Sequence, residues 1–102
     1  MFVRMSYWKC LPVYWGEDKK LFESGAVKIM QCHQGFVRAM LLAIPGEAQR
    51  IAFTTWDSAE DYARFVKSPD LQKIIDMFEH MYEEGGSPSP IEYEVRAQGS
   101  AV

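Results

Sequence analysis

Cysteines, cationic runs and long apolar runs are all scarce in this chain of 102 residues. The two cysteines, Cys10 and Cys32, lack the spacing of a zinc motif, and we expect both to be buried, reduced thiols. Lysine and arginine never run beyond two residues, and the net charge is −3. A nucleic-acid or membrane-surface partner would need a basic face, so neither is expected.

Membrane, secretion and common catalytic signals are also missing. No apolar run approaches the roughly 20 residues that span a bilayer. The N-terminal segment lacks the pattern of a signal peptide, so a cytoplasmic protein is expected. The chain shows no Gly-rich phosphate loop and no Ser-His-Asp motif. Any catalysis would therefore use no cofactor or a bound prosthetic group.

The first part of the chain predicts a strand followed by a helix. Residues 2–10 are rich in aromatic and β-branched side chains and are stopped by Pro12. Acidic residues after Gly16 favour a helix start, and apolar residues then recur at helical spacing. Gly35 stands where a left-handed helix cap is expected.

The middle of the chain predicts a hairpin that leads into a helix. Residues 36–44 are almost all apolar and predict a strand buried on both faces. A turn at 45–47 connects it to a second strand over 49–56, whose side chains alternate with a period of two. Ser58 and Asp61 then form a variant of the capping box.

The last part predicts a broken helix and a final strand. Ser68-Pro69 divides the helical region into two pieces. Residues 85–90 predict a loop, and a half-buried strand begins at Ile91. We expect one domain over residues 1–97 and a frayed tail over 98–102.

This β-α-β-β-α-β order predicts an α+β, ferredoxin-like fold whose second helix is split. One face of such a sheet is covered by helices, and the other is bare in a monomer. Because a bare apolar face is a partner site, we expect a homodimer. The residues expected on the bare face are Val3, Met5, Val37, Ala39 and Leu41.

Several short segments resemble the antibiotic-biosynthesis monooxygenase-like (ABM) domains, which are dimeric α+β barrel proteins. They are the aromatic first strand, Gly35-Phe36, the Arg50-to-Ser58 segment and Tyr93-Glu94-Val95. The resemblance implies a dimeric barrel with a pocket between sheet and helices in each subunit. Activities of such domains include cofactor-free oxygenation of anthrones and quinols, heme breakdown, and isomerisation of a small phosphosugar-like signal.

The heme-degrading branch of these domains uses an Asn, a Trp and a ligating His. At the matching places this chain has Ser6, Phe65 and Ile74, and it contains no asparagine. Heme breakdown by that mechanism is therefore not expected. His80 lies six residues beyond the expected ligand and keeps a heme-binding alternative open.

The candidate substrate pocket has flat apolar walls suited to an aromatic ligand. The same residues can equally be core, and Trp56 can be an anchor of the strand-to-helix corner. Small residues at Gly25, Ala26 and Ala52 are expected to leave room between the layers. The expected lining residues are Trp8, Phe22, Met40, Thr54, Trp56 and Phe65.

The candidate catalytic residues are His80 as a base, with Ser6 and Tyr7. His80 and His33 can also simply interact with the negative ends of helices. The resulting hypothesis is a cofactor-independent monooxygenase of a small aromatic, quinol or anthrone-type substrate. A non-catalytic ligand-binding or stress-associated protein, or a heme-binding protein, is the alternative.

Overall fold

A computed structural model describes residues 1–84 and 89–101 of the chain. In this part of the chain, four strands form one antiparallel sheet in the order β2-β3-β1-β4. The strands are β1 (Phe2–Lys9), β2 (Phe36–Ala43), β3 (Gln49–Trp56) and β4 (Ser89–Glu94). This sheet with its helices is the ferredoxin-like arrangement that the sequence predicts.

The helices are interrupted in two places. Helix α1 consists of an α-helical segment Glu17–Leu21, a π-helical turn Phe22–Ala26 and a further α-helical segment Val27–Met30. Helices α2 (Ala59–Lys67) and α3 (Pro69–Phe78) are the predicted two pieces of the second helical region. Short 3-10 segments follow β1 at Pro12–Tyr14 and α3 at Glu79–Met81.

The strand register decides which side chains face the helices, because opposite residues of an antiparallel pair share a face. In β1 the even-numbered residues face the helices and Val3, Met5 and Tyr7 face the open side. The core between sheet and helices is aromatic and sulfur-rich, and its buried members are Trp8, Cys10, Phe22, Ala26, Met30, Trp56, Tyr62, Phe65, Phe78 and Met81.

Ala39 and Leu41 of β2 do not lie on the bare face of the sheet, where the sequence analysis expected them. A register shift between Phe36 and Arg38 inserts one extra residue into the strand, so the alternation changes phase there. Ala39 and Leu41 pack against the helix-side core. Met40 and Leu42 pair with Phe53 and Ile51 on the open face instead.

The start of α2 follows the predicted capping box. Ser58 Oγ accepts from the backbone N–H of Asp61 at 3.1 Å and donates to Asp61 Oδ2 at 3.0 Å. Gly35 has a positive φ of 84°, and a Cβ at this position would collide with the Asp61 side chain. The capped helix therefore requires glycine at the entry to β2 for both conformation and space.

Some boundaries differ from the sequence expectations. The last strand begins at Ser89 rather than Ile91, and the predicted loop residues 85–88 lie outside the described residues. Cys10 is buried as expected, whereas Cys32 is exposed. Among the described residues, no helix is long and apolar enough to cross a membrane.

Candidate functional site

A cavity of about 60 Å³ lies between the helix-facing side of the sheet and the helices, and it is partly open to solvent. This volume holds more than one water molecule. It is smaller than the roughly 300 Å³ of a typical ligand pocket, so an aromatic ligand needs the walls to move outward. Met30 lines the cavity, and its flexible thioether chain is well suited to such an adjustment.

The walls are mostly aromatic and aliphatic. The sheet supplies the floor and the helices supply the roof, as the sequence predicts for Trp8, Phe22, Thr54 and Phe65. The lining residues are Arg4, Ser6, Trp8, Phe22, Ala26, Met30, Ala52, Thr54, Phe65, Leu71, Ile74, Ile75, Phe78 and Tyr82.

The π-helical turn of α1 forms one end of this wall. Its first and last residues, Phe22 and Ala26, both line the cavity. A single π turn within an α-helix is often found at functional sites. Gly25, in the same turn, instead approaches Met77, where an added Cβ would lie 2.7 Å from Cε. Its small size therefore allows α1 to approach α3 rather than enlarging the cavity.

The polar groups of the cavity come from Arg4, Ser6, Thr54 and Tyr82. Thr54 Oγ1 accepts a hydrogen bond from the indole Nε1–H of Trp56 at 3.2 Å, which leaves its own hydroxyl proton available for a ligand. Among the described residues that line the cavity, no carboxylate and no histidine is present. The cavity is therefore a cationic and hydroxyl-bearing site.

Arg4 is the functional candidate that the sequence interpretation missed. It stands on the helix side of the central strand, opposite Thr54 in β3 and Glu92 in β4. Its Nε is buried and has no hydrogen-bond partner in the described part of the chain. The sequence does indicate which side of the strand Arg4 occupies, since Arg4 alternates in phase with Phe2, Ser6 and Trp8.

Two phenols stand close to Arg4. Burial, followed by the hydrogen bond to Glu92, raises the pKa of Tyr62 to about 12. Burial, followed by the charge of Glu79, raises the pKa of Tyr82 to about 12. The Arg4 charge opposes both increases without cancelling them. Both hydroxyls are therefore neutral near pH 7 and supply no negative charge to Arg4, whereas the Glu92 carboxylate lies opposite Arg4 in β4.

Four of the predicted site residues lie elsewhere. Trp56 is fully buried behind the wall and stacks on Phe65 with ring centroids 4.8 Å apart. Met40 lies on the open face and borders a wider groove of about 610 Å³ beside α1. Tyr7 is also on the open face, paired with Ile51. Strand parity places Tyr7 on the open face, and the bulge in β2 reverses the side on which Met40 lies. Trp56 is on the helix side, like Thr54, but does not line the cavity.

His80 does not line the cavity. It is exposed on the 3-10 segment after α3, where its ring packs edge-on against Tyr14 at 5.0 Å. The segment ends one residue later, because the chain turns into an extended conformation at Tyr82. His80 therefore does not line the cavity, and its role as base stays a prediction.

His33 contacts two other residues of the helical layer, Asp70 and Phe65. Its Nε2 lies 2.7 Å from Asp70 Oδ2, and its ring packs edge-on against Phe65. The hydrogen bond with His33 holds the pKa of Asp70 below its usual value. This pair connects the end of α1 to the start of α3 and supports the cavity wall from behind.

The three positions expected to decide heme chemistry all line the cavity: Ser6, Phe65 and Ile74. None of these three supplies an iron ligand, and burial raises the pKa of Tyr82, the one tyrosine that lines the cavity among the described residues. A porphyrin is also far larger than a cavity of about 60 Å³. Within the described residues, no cluster of His, Cys, Asp and Glu could hold a metal ion. The residues present therefore do not fit heme.

Comparison with known proteins assigns the fold. No protein-family model and no curated protein matches the chain, whereas many solved structures do. A monooxygenase from the gene ActVA-Orf6 of Streptomyces coelicolor, in complex with Nanaomycin D, superposes with a TM-score of 0.81. It is 16% identical and the match covers 99% of this chain and 92% of that one.

Two further structures show the range of that fold. SnoaB, a cofactor-independent oxygenase from Streptomyces nogalater, matches with a TM-score of 0.76 at 14% identity, covering 95% of this chain and 94% of that one. The heme-degrader MhuD from Mycobacterium tuberculosis, with two hemes in its active site, matches at 0.74 and 19% identity, covering 98% and 100%. The chain therefore has the fold of the antibiotic-biosynthesis monooxygenases, as its sequence predicts.

Proposed function

We propose that the protein is a cofactor-independent monooxygenase that oxidises a small phenol or quinol in the cavity between sheet and helices. The observation that carries this proposal is the cavity itself, with aromatic walls at Trp8, Phe22 and Phe65 and a few polar groups on the sheet side. Structural likeness to cofactor-independent oxygenases supports the reaction class. The small volume favours a single aromatic ring over a fused one.

The reaction needs only substrate and dioxygen. The deprotonated quinol supplies the electrons, and one oxygen atom becomes bonded to ring carbon. The other oxygen atom leaves as water with two hydrogens of the substrate, so a quinol gives a hydroxyquinone. The protein contributes a dry cavity and donors for the developing oxyanion, for which the Ser6 and Thr54 hydroxyls are candidates.

Oxygen uptake with hydroquinone, followed with an oxygen electrode beside quinone absorbance, tests this function. We expect one dioxygen consumed per quinol above the uncatalysed rate. Ala52→Leu fills the cavity floor and should abolish the excess uptake, while Ala63→Leu makes the same change on the exposed side of α2 and should preserve it. Equal uptake by both variants would contradict the proposal.

A non-catalytic ligand-binding protein is the second candidate. The specific observation in its favour is that no carboxylate or histidine lines the cavity among the described residues, so no general base faces a ligand. Binding of hydroquinone to the wild type without excess oxygen uptake would favour this alternative. A heme protein is disfavoured, and a hemin titration that gives a stoichiometric Soret band would reverse that view.

The proposal includes a homodimer in the cytoplasm, formed through the open face of the sheet. Large apolar side chains are exposed on or beside that face. Burying each of them against a second copy contributes about 1–3 kcal/mol. A two-fold axis lets one patch cover its own copy, which is the commonest solution. The exposed residues are Val37, Met40, Leu42, Ile91 and Tyr93.

A further inference from the structure

We propose that the cavity binds its aromatic ligand as an anion, with the Arg4 guanidinium as the counter-ion. This inference rests on the proposed function for the aromatic class of the ligand. It adds the charge state of the ligand and the residue that selects it. It also supplies a reason why no carboxylate or histidine of the described residues lines the cavity.

The first observation is that the Nε of Arg4 lacks a hydrogen-bond partner among the described residues. Its Nε–H is buried and donates to no group in the described part of the chain. Arg4 also forms no ion pair with a carboxylate of residues 1–84 or 89–101. A buried donor without a partner is costly, and a bound ligand or a role in a reaction is one explanation for keeping it.

The second observation is that the neighbours of Arg4 are already engaged or neutral. Glu92 lies opposite it in β4, and its Oε1 accepts the hydroxyl proton of Tyr62 at 2.9 Å. Thr54 lies opposite it in β3 and carries no charge. Tyr82, from the segment after α3, shares the cavity wall as a neutral phenol. Arg4 itself lines the cavity, and no carboxylate does so among the described residues, so a ligand there meets the positive charge.

The third observation is the contrast with Arg50, the other arginine that faces the helices. Arg50 is already engaged, since its Nε donates to Asp18 Oδ2 at 2.7 Å and its Nη1 donates to the carbonyl oxygens of Glu47 and Gln49. Arg50 is thus a structural cation. Arg4 is a cation on the wall of a cavity, and its Nε–H has no partner among the described residues. A guanidinium with an available donor is suited to binding a carboxylate or phenolate.

The chemical consequence concerns the substrate proton. A guanidinium within a few ångströms favours the charged form of an acidic group, and such a charge lowers a pKa by about 1–3 units. Burial opposes this effect, as it does for Tyr62 and Tyr82, so Arg4 increases the ionised fraction of a bound quinol without ionising it completely. Arg4 is then the residue that stabilises the electron-rich phenolate relative to the neutral quinol.

Binding of 4-nitrophenol tests this directly, because the phenolate is coloured and is not an oxidation substrate. We expect the apparent pKa of the bound probe to fall by about one unit or more, which corresponds to a roughly tenfold preference for the anion. In Arg4→Met this shift should vanish and the affinity for the anion should fall about tenfold. The neutral isostere 4-nitroanisole should bind both proteins equally.

Two further variants keep the test decisive. Arg4→Lys retains the charge and should retain most of the shift, whereas Arg64→Met removes an exposed arginine of α2 and should change nothing. An unshifted probe in the wild type, an unchanged shift in Arg4→Met, or no probe binding at all would overturn the inference. Oxygen uptake with hydroquinone is a separate readout, so a shifted probe without turnover contradicts only the oxygenase function.

Discussion

Arg50 and Asp18 form a buried ion pair between β3 and the first turn of α1, with Nε 2.7 Å from Oδ2 and both side chains less than a tenth exposed. Asp18 Oδ1 also accepts from the backbone N–H of Gly16 at 2.8 Å. The Trp15 ring lies over the guanidinium at 5.4 Å. This cluster fixes the start of the helix whose π turn borders the cavity.

Arg50→Met should lower the free energy of unfolding by about 3–5 kcal/mol, because it leaves the Asp18 carboxylate buried without its partner. Denaturant unfolding measures the change. Arg64→Met breaks the ion pair with Asp61, in which Arg64 is 58% exposed, and should cost less than about 1 kcal/mol. The double variant Asp18→Asn with Arg50→Met should be less destabilised than Arg50→Met alone, and equal losses would contradict the buried-charge explanation.

Gly35→Ala should destabilise the protein more than Gly46→Ala. Both glycines have a positive φ, of 84° and 81°, so each alanine pays about 1–2 kcal/mol for the left-handed backbone. Only Gly35 also faces the Asp61 side chain, whereas a Cβ at Gly46 meets nothing within 4 Å. Thermal unfolding of the two variants distinguishes the cost of the steric collision from the cost of the left-handed backbone. Equal decreases in stability would rule out the collision with Asp61.

Alkaline pH should destabilise the protein through Tyr62 and Tyr82. Their folded pKa values are raised from 10.0 to about 12. Their contribution is therefore fully present below pH 10 and is lost as the pH rises from 10 toward 12. A spectrophotometric titration should show these phenols ionising late in the native protein and at the ordinary pH in denaturant. Tyr62→Phe should remove one late step, and an unchanged titration would contradict the assignment.

Met40→Glu should dissociate the proposed homodimer. Met40 is 37% exposed in the single chain and occupies the open face of the sheet, where a carboxylate would be buried near its symmetry copy. Val66 is 39% exposed on α2, so Val66→Glu is a matched control that should remain dimeric. Light scattering at micromolar concentration measures both, and a monomeric wild type would sink the dimer.

The site was only partly predictable from its residues. Ser6, Trp8, Phe22, Thr54 and Phe65 were expected in the cavity and line it. Each belongs to a strand or helix with a regular hydrophobic period, so its position in the sequence indicates on which side of that element it lies.

Arg4 was not predicted, because periodicity places it on the helix side without revealing that it forms no ion pair with a carboxylate of the described residues. The positions of Met40 and His80 were also wrong. A bulge of one residue changes the facing of Met40, and a short 3-10 segment carries His80 out of the cavity. Neither feature leaves a clear signal in composition or spacing.

The sequence by itself determined the order of elements, the split of the second helical region and the capping of α2, because these depend on contacts between residues close along the chain. Tertiary structure alone decided which strand face met the helices after the bulge, which arginine was paired and which was left with free donors. Those outcomes depend on distances between residues that are remote in sequence, such as the 32 positions between Asp18 and Arg50. Local preferences cannot set such distances, and packing of the whole chain does.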